Sequence, residues 1–275
     1  MHPRGRVVGL PLVSGHVGAD AAACLLAIDL AREERLVALM DIGTNTELIV
    51  GNRHRILAAS CPAGPAFEGG AISCGMPALD GAIERIALGS SGAVETTVIG
   101  DEPAEGICGS GLVDLLGELR RTEGMNVLGR LHGGDGRFTV DQTRGLSLLE
   151  SDISQLAQAK GANVAGLRIV LERYGVKGDD LERFYLAGGF ARHIDVAAAR
   201  RIGLIPDLPD EKIVQVGNAA IEGATIALLS RARRAELEAL VTRIEHVELE
   251  TDPDFFDHFA FGCQFRPLEL STETA

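Results

Sequence analysis

Five consecutive residues, Asp41-Ile42-Gly43-Thr44-Asn45, place a carboxylate, a glycine and two short polar side chains directly after the apolar run 36–40. Such a turn suits a phosphate group. Glycine lets the backbone approach a ligand, and the amides of a tight turn can point at anionic oxygens. Thr44 and Asn45 add side-chain donors. Asp41 would hold a hydrated Mg²⁺, which prefers a carboxylate together with waters and phosphate oxygens. An ordinary hairpin with a polar tip would carry the same residues.

Two further glycine-rich turns follow strand-like runs. Gly106-Ile107-Cys108-Gly109-Ser110-Gly111 opens a helix with Leu112, Leu115, Leu116 and Leu119 on one side. A glycine-rich helix entry offers unpaired amides and the positive end of the dipole, both suited to phosphate; close packing is the alternative use. It is neither the Walker pattern nor the dinucleotide G-x-G-x-x-G. Leu186-Ala187-Gly188-Gly189-Phe190-Ala191 is the third turn, and its paired glycines allow close approach to a flat ring. Small residues in two helices (Ala157, Ala159, Gly161 and Ala162; Gly217, Ala219, Ala220, Gly223 and Ala224) permit close helix contact, at a hinge or in a static core.

The elements that must hold these turns read as an α/β chain. Helix 20–31, with Asp20 as its cap, precedes strands 36–40, 47–50 and 55–59, joined by two hairpins. A short helix is expected at 81–88, a strand at 94–99 and the helix after Gly111. Residues 129–145 are glycine-rich and polar, a lobe boundary or exposed loop. A strong helix follows at 152–173, with Asp152 and Gln155 as a capping pair. Strand 184–187, helix 195–203, strand 213–216 and helices 217–230 and 233–245 come next. An edge strand is expected in the terminal segments 247–249 and 255–265. The division is then a leader and helix over 1–35, a first lobe over 36–145 and a second over 146–275.

Bulk properties narrow the partners. The 275 residues are 46% apolar and 24% charged, as in a globular protein, with 34 glycines clustered between apolar runs. A formal charge of −13 argues against nucleic acid and anionic membrane as partners. The five cysteines lack C-x-x-C or zinc spacing, and the seven histidines show no ligand spacing. Without a signal peptide or an apolar stretch of about 18 residues, a reduced cytoplasmic protein is expected.

Taken together, the acidic hairpin, helix-entry loop and Gly-Gly loop resemble the phosphate-1, phosphate-2 and adenosine segments of the superfamily of acetate and sugar kinases, heat-shock chaperones and actin. The helices at 152–173 and after Gly217 look like its connecting segments. Longer motifs sharpen this: Asp41–Asn45, Ala63-Gly64-Pro65-Ala66-Phe67-Glu68-Gly69, Gly106–Leu112, Tyr185–Phe190, Ile202-Gly203-Leu204-Ile205-Pro206 and Val216-Gly217-Asn218-Ala219-Ala220. From about residue 10 to residue 265 the chain resembles the C-terminal ATPase region of the reductive activators of corrinoid proteins.

That resemblance implies an actin-like ATPase (ribonuclease H-like) fold, two lobes with a nucleotide cleft between them. It implies ATP and Mg²⁺ as cofactors and, as partner, a corrinoid protein of a methyltransferase system, reduced from cob(II)amide to cob(I)amide. By the same resemblance Asp41 positions Mg²⁺, and the amides of Gly43, Thr44 and Asn45 and of Gly109, Ser110 and Gly111 hold the β/γ-phosphates. Gly106 belongs to that second loop, Gly188 and Gly189 sit beside the nucleoside, and Phe190 and Asn218 complete the nucleotide-binding set. Glu68 and Glu105 are candidates for the carboxylate that orients the attacking water. Similar activators carry an N-terminal iron–sulfur domain with C-x₄-C-x₂-C spacing. That spacing is absent from this sequence, so no iron–sulfur cluster is expected in the chain. Either a separate ferredoxin-like donor supplies electrons, or the chain is a piece of a longer protein. A homodimer is a further expectation. A small-molecule kinase of the same superfamily and a nucleotide-gated interaction module without turnover are the alternatives.

Overall fold

The structure is a computed structural model that describes residues 5–89 and 92–270; the ends of the expected leader and second lobe lie outside it. The chain begins with α1 (Ala19–Ala27) and three strands, β1 (Val37–Asp41), β2 (Thr46–Gly51) and β3 (Ile56–Cys61). Then come β4 (Ala82–Leu88), β5 (Val94–Val98), β6 (Gly106–Ile107), α2 (Gly109–Arg121) and the hairpin β7 (Arg137–Asp141) with β8 (Leu146–Leu149). The long α3 (Glu150–Tyr174) leads to β9 (Arg183–Ala187), α4 (Val196–Arg201), β10 (Ile213–Gly217), α5 (Ala219–Leu229) and α6 (Arg231–Val241). The short edge strand β11 (Ile244–His246) and α7 (Phe255–Gly262) follow.

Six strands form one sheet in the order β10-β9-β1-β2-β3-β11. β1 runs antiparallel to β2 and parallel to β9, so its end at Asp41 meets both Glu47 and Ala187. The strands at the centre read as unbroken apolar runs because both faces are covered. Val37, Leu39, Ile49 and Ile56 face a core shared with α1, α5 and α6. Ala38, Met40, Leu48 and Leu57 belong to the other core, which extends over α3 and on to Ile83, Ile107 and Leu112. The second core joins the large sheet to a smaller lobe, where a three-stranded sheet (β5-β4-β6) packs on α2. The large sheet draws strands from both sides of the division expected at 145/146, since β9, β10 and β11 return to β1 and β3 after the smaller lobe is complete. Among the described residues no helix is long and apolar enough to cross a membrane.

Several elements differ from expectation for identifiable reasons. Residues 82–88 form a strand, not a helix: a register shift between Ile83 and Arg85 breaks the alternation and leaves Ile83 and Ile86 at helical spacing. Within the stretch 129–145, expected as a lobe boundary or exposed loop, residues 137–141 form β7 and pair with β8 as a hairpin. The edge strand lies at Ile244–His246, beside β3, and α6 stops at Val241 to allow it. The aromatic segment expected to extend it is α7, laid against α3. Gly161 of α3 makes this possible, because a Cβ there would come within 2.7 Å of Cys263 Sγ and 3.0 Å of the Phe259 carbonyl oxygen. The two small-residue helices thus serve different partners, α3 against α7 and α5 against α1. Asp20 lies inside the first turn of α1 while Gly18 occupies the cap position. Asp152, without Gln155, holds the start of α3 by accepting from the Leu149 amide at 3.0 Å, and it also binds Ser73.

Candidate functional site

The hairpin between β1 and β2 sits where three segments converge. Its base is pinned from the β9 side: the Ile42 amide donates to the Ala187 carbonyl at 3.0 Å, and Gly188 packs against Ile42 so tightly that a side chain would strike its carbonyl oxygen. Gly188 also needs φ 120°, which favours glycine. Its tip is held from the β3 side, where the Gly64 amide donates to the Thr44 carbonyl at 2.8 Å. Glu68 reaches the same tip, accepting from Thr44 Oγ1 at 2.5 Å. Among the described residues the amides of Gly43, Thr44 and Asn45 donate to no protein group.

The start of α2 joins this cluster through Gly109. A Cβ at Gly109 would collide with the Phe67 carbonyl and come within 3.4 Å of the Phe190 ring. One contact point therefore binds the segment carrying Glu68, the entry of α2 and the turn after β9. The first helical acceptor bond of α2 is Leu112 N–H to the Cys108 carbonyl, which leaves the amides of Gly109, Ser110 and Gly111 without an intrahelical partner.

The structure thus brings together Asp41, Gly43, Thr44, Asn45, Glu68, Gly109, Gly188 and Phe190. Gly189 stands beside them, exposed and with open space where a Cβ would project. Other expected residues are occupied elsewhere. The Ser110 hydroxyl donates to the Glu84 carbonyl at 3.0 Å, so its side chain ties α2 to β4 and only its amide is available. Gly106 is buried under Met76 in β6. Asn218 caps α5, accepting from the Ile221 amide at 3.1 Å. Glu105 is exposed, and its side chain lies over Gly81.

Electrostatics single out the floor of the hairpin. Asp41 Oδ2 accepts from Cys24 Sγ at 3.2 Å, and burial lifts the Asp41 carboxyl above its ordinary range, with Asp20 adding to the effect and the Cys24 bond opposing it. Burial pushes Glu47, its cross-strand neighbour, up to about 8, reinforced by Asp20 and Asp41. The Cys24 thiol is driven far up by burial and by Asp41. Like charges gathered in a half-buried place favour a cation or protons. Among the described residues no group of three or more His, Cys, Asp or Glu forms a metal cage. One carboxylate at the base of a turn with unpaired amides fits Mg²⁺ carried in by phosphates, since that ion keeps waters and takes one or two protein carboxylates. Asp20, Cys24 and Glu47 were missed in the sequence. The available signal was the position of Glu47 in an otherwise apolar strand, which becomes meaningful once the hairpin pairs it with Asp41.

Comparison with known proteins finds a family and several relatives. The family profile of the C-terminal domain of RACo, the ASKHA domain, matches residues 35–273. The corrinoid activation enzyme RamQ of Eubacterium limosum is 34% identical over 96% of this chain and 48% of its own length. The Co(II) methylated amine-specific corrinoid protein reductase of Methanosarcina barkeri is 28% identical over 94% of this chain and 52% of its own. A solved structure of a reductive activator for corrinoid, iron-sulfur protein superposes with a TM-score of 0.90 at 34% identity, covering 97% of this chain and 45% of that one. The chain spans about half the length of the curated relatives it matches.

Proposed function

Since the chain belongs to the family of the C-terminal domain of RACo, the ASKHA domain, we propose that it is the nucleotide-handling part of a reductive activator. In this reading it binds Mg-ATP and couples hydrolysis to reduction of cob(II)amide to cob(I)amide in a corrinoid protein of a methyltransferase system. The observation that carries the reading is the convergence of two sets of unpaired amides, Gly43–Asn45 and Gly109–Gly111, on one contact point beside Asp41 and Glu68.

Asp41 and the phosphate oxygens would share the Mg²⁺. The two amide sets would hold the β/γ-phosphates, with the α2 dipole adding to the second. Gly189 leaves room for the nucleoside, and the Phe190 ring flanks it. Glu68 would orient a water, a role supported by its hydrogen bond to Thr44 at the hairpin tip, whereas the Glu105 side chain lies over Gly81. Bound Mg-ATP supplies the free energy that an uphill one-electron reduction requires. This chain's part is to fix the phosphates, exclude solvent from the hairpin floor and move its lobes as the phosphates change. Electrons would come from a separate ferredoxin-like donor or from an iron–sulfur domain of a longer protein.

The test is cob(II)amide reduction in an intact corrinoid protein, followed by absorbance with an artificial donor. Reduction should require ATP and Mg²⁺ together with this chain. A rate indifferent to ATP would remove the proposal.

A further inference from the structure

Asn45 also lines a cavity of about 440 Å³, within the range of small-molecule sites. The hairpin tip, the end of β3, the residues after β11 and the start of α7 enclose it. Phe255 and Phe256 line it, their rings 5.8 Å apart and nearly perpendicular. His16 and His246 line it too, with their imidazoles stacked at 6.4 Å and 26°. Phe256 is 78% exposed, a large apolar side chain left facing water at the cavity.

The polar groups are few and specific. Among the described residues the Asn45 side-chain amide has no hydrogen-bond partner, so it offers one donor and one acceptor edge. Ser60 Oγ donates to Glu47 Oε1 at 3.3 Å and keeps lone pairs to accept from a ligand. Charge works against anions: Glu250 also lines the cavity, and the chain carries −13. Flat aromatic walls favour a flat ring, and an amide edge favours a ring with adjacent donor and acceptor atoms.

We propose that this cavity binds an uncharged, planar nitrogen heterocycle of one or two rings, read at its edge by Asn45 and covered by Phe256. Because Asn45 belongs to the hairpin tip, occupancy reports directly to the hairpin. The proposal does not depend on the nucleotide reading.

Indazole is a suitable probe, titrated into the 275-residue chain by calorimetry and ligand-observed NMR. It should bind with a dissociation constant below about 1 mM, and its carboxylate derivative should bind at least about ten-fold more weakly because of the acidic surroundings. Phe256→Ala should weaken indazole about ten-fold, and Asn45→Leu should do the same by removing the edge reader. Leu128→Ala, an exposed apolar truncation elsewhere, should leave it unchanged. Circular dichroism of each variant checks the fold. Absence of indazole binding, equal affinity for the carboxylate, or unchanged affinity in folded Phe256→Ala overturns the proposal. So does displacement of indazole by Mg-ATP, which would make the cavity part of the nucleotide site.

Discussion

Asp41 and Glu68 stand at opposite sides of one turn and should fail differently. Asp41→Ala removes the carboxylate at the hairpin floor; on the proposed reading Mg-ATP binding should be lost while circular dichroism stays native. Glu68→Gln keeps the bond to Thr44 as an amide acceptor but loses the charge that, on the proposed reading, orients water. Its turnover should fall about 10²-fold or more with little change in nucleotide affinity, as steady-state assays beside equilibrium titration would show. Equal losses in both parameters would reassign Glu68 to binding. Lys160 gives a separate test, of stability. It is 1% exposed and donates to the carbonyls of Gly262 and Gln264. Burial pushes its ammonium down from 10.5 to about 7. Between those values the unfolded chain holds more protons, so stability should rise with pH through that window, by up to about 1.4 kcal/mol per unit. Denaturant melts of Lys160→Met should lack that rise. At this scale the sequence exposed the residues of the turn but not their company. Glu68 lies 24 positions from its partner Thr44, a separation no local spacing rule reaches, and no local pattern marks Lys160 as buried.

Among the elements, those carrying strong local signals were legible and those shaped by packing were not. β1, β2, β9 and α3 stand close to their expected places because apolar runs and helical periodicity fixed them. β4 was read as a helix because a bulge shifts its apolar residues to helical spacing. α7 was read as strand because its phenylalanines favour strands, while glycine contacts with α3 decide the outcome. The same close-contact logic governs α5. A Cβ at Gly223 would run into the Ala23 carbonyl of α1, leaving no room for even one methyl. Gly223→Ala should therefore push α5 off α1 and cost about 1–3 kcal/mol, read as a lower urea midpoint. Ala224→Gly one position on, at an exposed site, should cost only about 1 kcal/mol from helix propensity. If the two lose the same amount, the α1–α5 contact is looser than described.

For the whole molecule the decisive feature is that one ligand would have to satisfy two separate structures. The hairpin belongs to the six-stranded sheet, and the α2 entry belongs to the smaller lobe packed on its core. They meet through Gly109, Phe67 and Phe190. Among the described residues the amides of Gly43–Asn45 and Gly109–Gly111 find no protein acceptor, so both stretches should exchange hydrogen rapidly in the free protein. A nucleotide bridging them must protect both at once, with the same dependence on its concentration. Mass spectrometry of deuterium uptake over a titration of Mg-ATP would show this as two protection curves with one midpoint. Asp41→Ala should abolish both curves, although it alters only the sheet side, because phosphates released from the hairpin would no longer be held against α2. Phe190→Ala should separate them instead: with the contact at Gly109 loosened, the hairpin would keep protection while the α2 amides lost it. Protection confined to the hairpin in the unaltered chain would mean that the smaller lobe takes no part in holding phosphate. The coupling of hydrolysis to movement between lobes would then lose its physical basis.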